Sequence, residues 1–199
     1  MATLKQIKEI ENSHLLRLGI SEGEENAVYT VRESVYSELS RPVRGQELYE
    51  GEMEIIKAED EYVRAKRRAL YLLSYADNNE RTLVAKLRER GFSSGVSAEV
   101  ARDMVNLGYI NETAQLERLI TREANERLFG KEKILPRLRA KGYSVSEINS
   151  VMERLLLEGD IDFSENEKRL IEKKLPDGAT EEERHALLVK YGYRKGQNF

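Results

Sequence analysis

Leu87-Arg88-Glu89-Arg90-Gly91-Phe92 returns 51 residues later as Leu138-Arg139-Ala140-Lys141-Gly142-Tyr143, and the same shift holds well outside the hexamer. Ungapped, it carries Val100 onto Val151, Gly108 onto Gly159 and Ile110 onto Ile161, and it carries Arg67 onto Arg118 and then Arg169. Leu119-Ile120 lands on Leu170-Ile171. One residue is then lost, and Leu188 to Tyr193 gives a third version at a shift of 50. A chance match copies one hexamer but does not keep register through three copies of an arginine. The chain therefore reads as an internal repeat, the mark of arrays in which one small unit packs on the next.

Each copy reads as three short helices. Val63, Leu70 and Leu73 fall on one helical stripe, Leu83 and Leu87 on a second, and Val96, Val100 and Met104 on a third. The second copy repeats this with Leu116, Leu119 and Ile120, then Ile134 and Leu138, then Ile148, Val151, Met152 and Leu155. Gly91, Gly142 and Gly192 each follow a helical pattern and precede an aromatic ring, the signature of a left-handed glycine stop closed by an apolar residue. Gly108 and Gly159 stop the third helices. Ser144 with Glu147 and Thr180 with Glu183 are capping boxes, and Asn111 and Asp162 stand at N-cap positions. Pro136 falls inside a predicted helix, which should start late or kink there. Three helices this short bury little apolar area, so neighbouring units should stack into an elongated array.

The expected organisation is mainly α: residues 59–109, 110–160 and 161–199 form tandem three-helix, helix-turn-helix-like repeats. The third lacks its last helix, since only Arg194 to Phe199 follow Tyr193. Residues 1–58 are a small β-rich segment. There Ala27 to Val31 is β-branched and aromatic, and Asn12-Ser13 and Glu22-Gly23 are turn signals. Two or three antiparallel strands are expected, then a helical turn at 33–39 and a short helix over 46–56.

The chain has 33 Lys and Arg against 36 Asp and Glu, a net charge of −3, with no Cys and two His. That composition excludes disulfides, thiolate nucleophiles and cysteine-held metals. Neither a Gly-rich phosphate loop nor an H-E-x-x-H pair occurs. His14, expected on a strand, and His185, expected exposed on a helix, lie far apart. Glu59-Asp60-Glu61 and Glu181-Glu182-Glu183 are acid runs expected at helix starts, where the dipole favours them. No catalytic, cofactor or metal site is expected. No apolar run reaches the roughly 20 residues of a membrane span, and Met1 to Glu11 is not a signal peptide, so a cytoplasmic monomer is expected.

The periodic feature that could carry function is basic. Lys86, Arg88 and Arg90 close one helix, and the 51-residue shift sends them onto Arg137, Arg139 and Lys141. Cations in a last turn also stabilise a helix end, which is the competing explanation. Arg67, Arg118 and Arg169 are kept in all three copies, and a charge kept in every copy is explained as well by a bridge between neighbouring units. A second basic set is Lys66-Arg67-Arg68 with Lys168-Arg169. One patch per unit suits a long, repetitive, acidic partner: a nucleic-acid backbone or a protein filament.

The ordered motifs Arg67-Arg68-Ala69-Leu70-Tyr71-Leu72-Leu73-Ser74, Leu83 to Phe92, Val100 to Asn111 and Ile134 to Tyr143 together resemble the RecX family of regulatory proteins, over nearly the whole chain. The resemblance implies three-helix repeats that dock along the groove of a RecA–DNA filament. It also implies inhibition of recombinase, ATPase and coprotease activity in DNA repair and the SOS response, with no catalytic residues. The partner it implies is the RecA filament, with single- or double-stranded DNA beside it. The partner-binding candidates are then Lys86, Arg88, Arg90, Arg137, Arg139, Lys141, Arg67 and Arg118. A DNA-binding regulator using helix-turn-helix-like units is the alternative. The chain departs from the family at Asn78-Asn79-Glu80, where a Ser and acids are usual, and at Asn111-Glu112, where an acidic pair is usual.

Overall fold

A computed structural model describes residues 2–194; Met1 and residues 195–199, most of the tail expected after the third copy, lie outside it. Two compact units form, Met1–Tyr109 and Ile110–Phe199.

The first unit opens with β1 (Ala2–Ile10), β2 (Leu15–Glu22) and β3 (Glu25–Arg32), joined by tight turns, then α1 (Glu33–Glu38) and the two-residue β4 (Glu47–Leu48). The sheet is antiparallel in the order β3-β2-β1-β4. A register shift between Leu4 and Gln6 breaks the alternation of β1: Ala2 and Leu4 point into the core, and the strand beyond is exposed. Leu4, Leu16, Leu18, Ile20 and Val31 cover one face and pack on Met53 and Ile56 of α2 (Glu50–Tyr75). The helical turn expected at 33–39 is α1. The short helix expected over 46–56 is instead β4 followed by the opening turns of a 26-residue helix. Nothing between Glu50 and Tyr75 interrupts it, because Gly51 falls in its first turn and no proline follows. His14 lies in the β1–β2 turn rather than on a strand, with its side chain fully exposed and Nδ1 3.9 Å from Glu33.

Glu59, Asp60 and Glu61 do not begin a helix. They sit in the middle of α2, each with a different task. Glu59 is buried and accepts from the Arg32 backbone N–H at 3.2 Å and from Arg32 Nη2 at 2.7 Å. Asp60 accepts from the Thr30 N–H at 2.8 Å. These are edge N–H groups of β3, so two side chains of α2 stand where a further strand would pair. Glu61 accepts from the Ser93 N–H and from Ser93 Oγ, holding the start of α4.

The second half of α2 packs with α3 (Glu80–Arg88) and α4 (Ser94–Asn106) around Ala65, Ala69, Leu83, Leu87, Val100, Ala101 and Met104, all fully buried. Tyr62 donates to Asp103 of α4 while the Arg32 guanidinium lies 4.3 Å over its ring, so one side chain ties strand, α2 and α4 together. Leu70, expected on the buried stripe, is 37% exposed. The inward face is set by Tyr62, Ala65 and Ala69, and the next residue turns roughly 100° away.

In the second unit, α5 (Glu112–Thr121) runs into a π-helical turn (Arg122–Glu126), followed by α6 (Lys131–Ala140), α7 (Val145–Glu158), α8 (Phe163–Lys174) and α9 (Glu181–Tyr191). Leu116, Ile120, Ile134, Leu138, Ile148, Met152, Leu155, Leu170 and Tyr193 share one core. Helix α6 starts at Lys131 and continues through Pro136. The expected caps form: Asn111 accepts from Ala114 N–H, Asp162 from Ser164 and Glu165, and Ser144 and Thr180 close capping boxes with Glu147 and Glu183. The acids at 181–183 lie in the first turn of α9 as expected.

The three glycine stops are superimposable in pattern. Phe92, Tyr143 and Tyr193 N–H groups reach back to Leu87, Leu138 and Leu188 carbonyls at 3.3, 3.3 and 2.9 Å, while Gly91, Gly142 and Gly192 have φ of 87°, 98° and 89°. That is the Schellman closure, and its left-handed residue strongly favours glycine.

Candidate functional site

The eight basic positions singled out by the repeat separate into different environments. Helix α3 ends in Lys86 and Arg88, with Arg90 just beyond. Lys86 is drawn back along its helix to donate to Asn78 Oδ1, and is only half-exposed. Arg90 Nη1 donates to the Lys86 carbonyl at 2.7 Å, which is the helix-end role a cation plays at orphan carbonyls. Arg88 is exposed, and among the described residues its side chain has no hydrogen-bond or ion-pair partner. It lines a cleft with Gly91, Phe92 and Ser93.

Arg67 projects from α2 into a second groove of about 520 Å³, lined by Arg64, Arg67, Arg68, Tyr71, Arg90 and Phe92. The structure thus joins Arg67 and Arg90, which the repeat pattern had placed in different sets. Arg64 is paired with Asp60 at 2.8 Å, and the Arg68 guanidinium lies 4.8 Å over the Tyr71 ring. Arg67 has no partner among the described residues. Arg64 and Tyr71 belong to neither basic set of the sequence, and Arg68, in the second set, is not among the partner-binding candidates. Their signal was present as spacings of three and four residues along α2, which place 64, 67, 68 and 71 on one face.

In the second unit, Arg137 is a structural cation. Its Nε lies 2.8 Å from Glu123 of the π-helical turn, and Arg127 approaches the same carboxylate at 3.1 Å. The Glu123 side chain is 2% exposed, so its charge depends on both arginines. No repeat argument pointed to Glu123, because the π-helical turn has no counterpart at the 51-residue shift. Arg139 is exposed and, among the described residues, without a partner, as Arg88 is. Lys141 and Arg118 are exposed and engaged in contacts of their own. Arg169 donates to Asn166 Oδ1 at 3.0 Å and to the Asn125 carbonyl at 3.5 Å, bridging α8 to the π-helical turn. Lys66 turns to Tyr62 and Lys168 pairs with Glu165, so neither extends the basic surface.

Titration follows burial. The Tyr62 hydroxyl is pushed above the usual phenol range by desolvation and then by its bond to Asp103, and Tyr193 is raised chiefly by desolvation. Tyr29 is pushed up to about 12 by burial and by its hydrogen bond to Glu22. Glu22 is held below the usual carboxylate range by Lys57, 2.7 Å away, and by Tyr29. None of these groups lines the arginine groove. Among the described residues, no three acidic or imidazole side chains are grouped to hold a metal ion, and no helix is long and apolar enough to cross a membrane.

No protein-family model matches the chain. The regulatory protein RecX of Clostridioides difficile (strain 630) is 29% identical over 131 residues, which are 66% of this chain and 60% of that protein's length. A crystal structure of regulatory protein RecX superposes with a TM-score of 0.72 at 23% identity, covering 98% of this chain and 95% of the other. RecX from Lactobacillus salivarius superposes with a TM-score of 0.56 at 18% identity, over 68% of this chain and 90% of that one. The mainly helical fold with its small N-terminal sheet is shared with the solved structure of regulatory protein RecX that covers 98% of this chain, and the sequence match, over 60% of its relative's length, is to a regulatory protein of the same name.

Proposed function

We propose that this chain is a non-enzymatic regulator that docks in the groove of a RecA–DNA filament. It thereby inhibits strand exchange, ATP turnover and coprotease activity in the cytoplasm during DNA repair and the SOS response. The units that dock are tandem three-helix repeats over residues 59–109 and 110–160, the first beginning inside α2, followed by an incomplete repeat over 161–199. Three Schellman closures of one geometry, at Leu87–Phe92, Leu138–Tyr143 and Leu188–Tyr193, support that repetition. The observation that carries the reading is the matched pair Arg88 and Arg139. They occupy the same place in the last turns of α3 and α6, both exposed, and neither is neutralised by a described residue.

The experiment is strand exchange by RecA in the presence of the chain. Arg88→Glu with Arg139→Glu should weaken inhibition at least tenfold while far-ultraviolet circular dichroism stays helical. Association should slow more than dissociation quickens, because exposed charges steer encounter. Full inhibition by the folded double variant would return both residues to a helix-end role. The DNA-binding alternative draws on the same cations but meets a net charge of −3. Its signature would be binding to DNA alone, with log affinity falling against log salt at about −0.9 per phosphate neutralised.

A further inference from the structure

The arginine groove of the first unit is built differently from a helix end. Arg67, Arg68 and Arg90 all line it, and no carboxylate among the described residues pairs with any of them. Arg64, at its margin, is the one neutralised member. Between the cations lie Tyr71, 51% exposed, and the half-buried Phe92. The stems of long arginines add to this apolar floor while their guanidinium groups stay at the rim. Three uncompensated forks around an apolar floor repel one another, and the arrangement relaxes when carboxylates arrive together with something to cover the floor.

We infer that this groove is a docking site for an acidic peptide segment of a protein partner. In such a segment an aromatic or aliphatic side chain would seat between Tyr71 and Phe92 and flanking carboxylates would bind Arg67, Arg68 and Arg90. Single-stranded nucleic acid is the other polyanion that pairs cations with rings. Two observations favour the peptide. The Tyr71 ring carries the Arg68 guanidinium at 4.8 Å and packs with Tyr75 at 5.3 Å, which makes it a poor platform for a base that must stack face to face, whereas a peptide side chain needs only apolar contact with Phe92 and the margin of Tyr71. The chain as a whole carries a net charge of −3, which opposes a long polyanion and is tolerated by a short one.

The inference rests on the proposal that the partner of this chain is a protein filament, and its test separates the two. The probe is a fluorescein-labelled peptide of ten alternating Asp and Glu residues with Phe-Leu at its centre, followed by anisotropy at low salt. Saturable binding should fall at least tenfold for Arg67→Glu with Arg90→Glu, and at least fivefold when Phe-Leu in the peptide is replaced by Ser-Ser. Tyr71→Ser, which removes no charge, should lose the difference between those two peptides. An equimolar oligo-dT should not compete. Unchanged binding by the folded double variant, indifference to the Phe-Leu pair, or stronger binding of oligo-dT at the groove would each overturn the inference. Sedimentation with RecA on single-stranded DNA is run on the same samples. A chain that sediments but ignores the peptide refutes the inference alone; one that binds the peptide but does not sediment refutes the filament reading alone.

Discussion

Gly130 and Gly192 lie where the first turn of α6 meets the last turn of α9, and a Cβ on Gly130 would sit 2.3 Å from the Gly192 carbonyl oxygen. The Gly130 N–H donates to the Tyr191 carbonyl at 2.9 Å and the Glu132 N–H to that of Gly192 at 3.2 Å, so the orphan donors of one helix satisfy the orphan acceptors of another. Gly91, by contrast, has open space around its absent Cβ and needs only its left-handed backbone. Gly91→Ala should therefore cost about 1–2 kcal/mol, the left-handed penalty alone. Gly130→Ala should cost more, about 3 kcal/mol, because backbone must move apart. Urea midpoints check the order; equal losses would contradict it. The tyrosines offer a second check. Tyr29, at about 12, together with Tyr36, Tyr62 and Tyr193, has its phenol raised above the unfolded value near 10, chiefly by burial. A folded pKa raised this way gives stability that is complete below about pH 10 and drains as pH climbs through the folded values. Absorbance titration of the ten tyrosines should thus be biphasic, with a late group released together with loss of helix.

Among the elements, those legible in the sequence were the ones fixed by local chemistry. Glycine stops at 91, 142 and 192, caps at 111 and 162 and the capping boxes at 144 and 180 each depend on residues within five positions of one another. Helix α2 was misjudged at its start because no local signal separates an entering helix from the helix it joins. The acids at 59–61 were misplaced for the same reason, since their partners Arg32, Thr30 and Ser93 lie about thirty residues away. The π-helical turn was invisible because its reason is tertiary: it carries Glu123 to Arg127 and Arg137. That turn divides two cations the repeat had made equivalent. Arg137→Glu sets a second carboxylate beside buried Glu123 and should cost about 3–5 kcal/mol. Arg139→Glu should cost no more than a helix-end charge, about 0.3–1 kcal/mol. Chemical denaturation at constant slope distinguishes them.

For the molecule as a whole, uneven charge matters more than its sum. The first 58 residues hold 7 basic and 11 acidic side chains, and the remainder, net +1, carries the proposed docking surface. Of the eight basic positions, Arg67, Arg88 and Arg139 present charge that no described residue neutralises, while Lys86, Arg90 and Arg137 also hold their own helices and loops. That division could not be read from spacing, because a last-turn cation looks the same in sequence whether it faces a carbonyl, a buried carboxylate or a partner. The most direct test of the central claim is sedimentation of the chain with RecA assembled on single-stranded DNA, beside DNA alone and RecA alone. The account predicts saturable pelleting with the filament, little with bare DNA, and loss of pelleting as salt screens the exposed arginines over about 8–10 Å. Equal pelleting with bare DNA, or none with the filament at low salt, would contradict it.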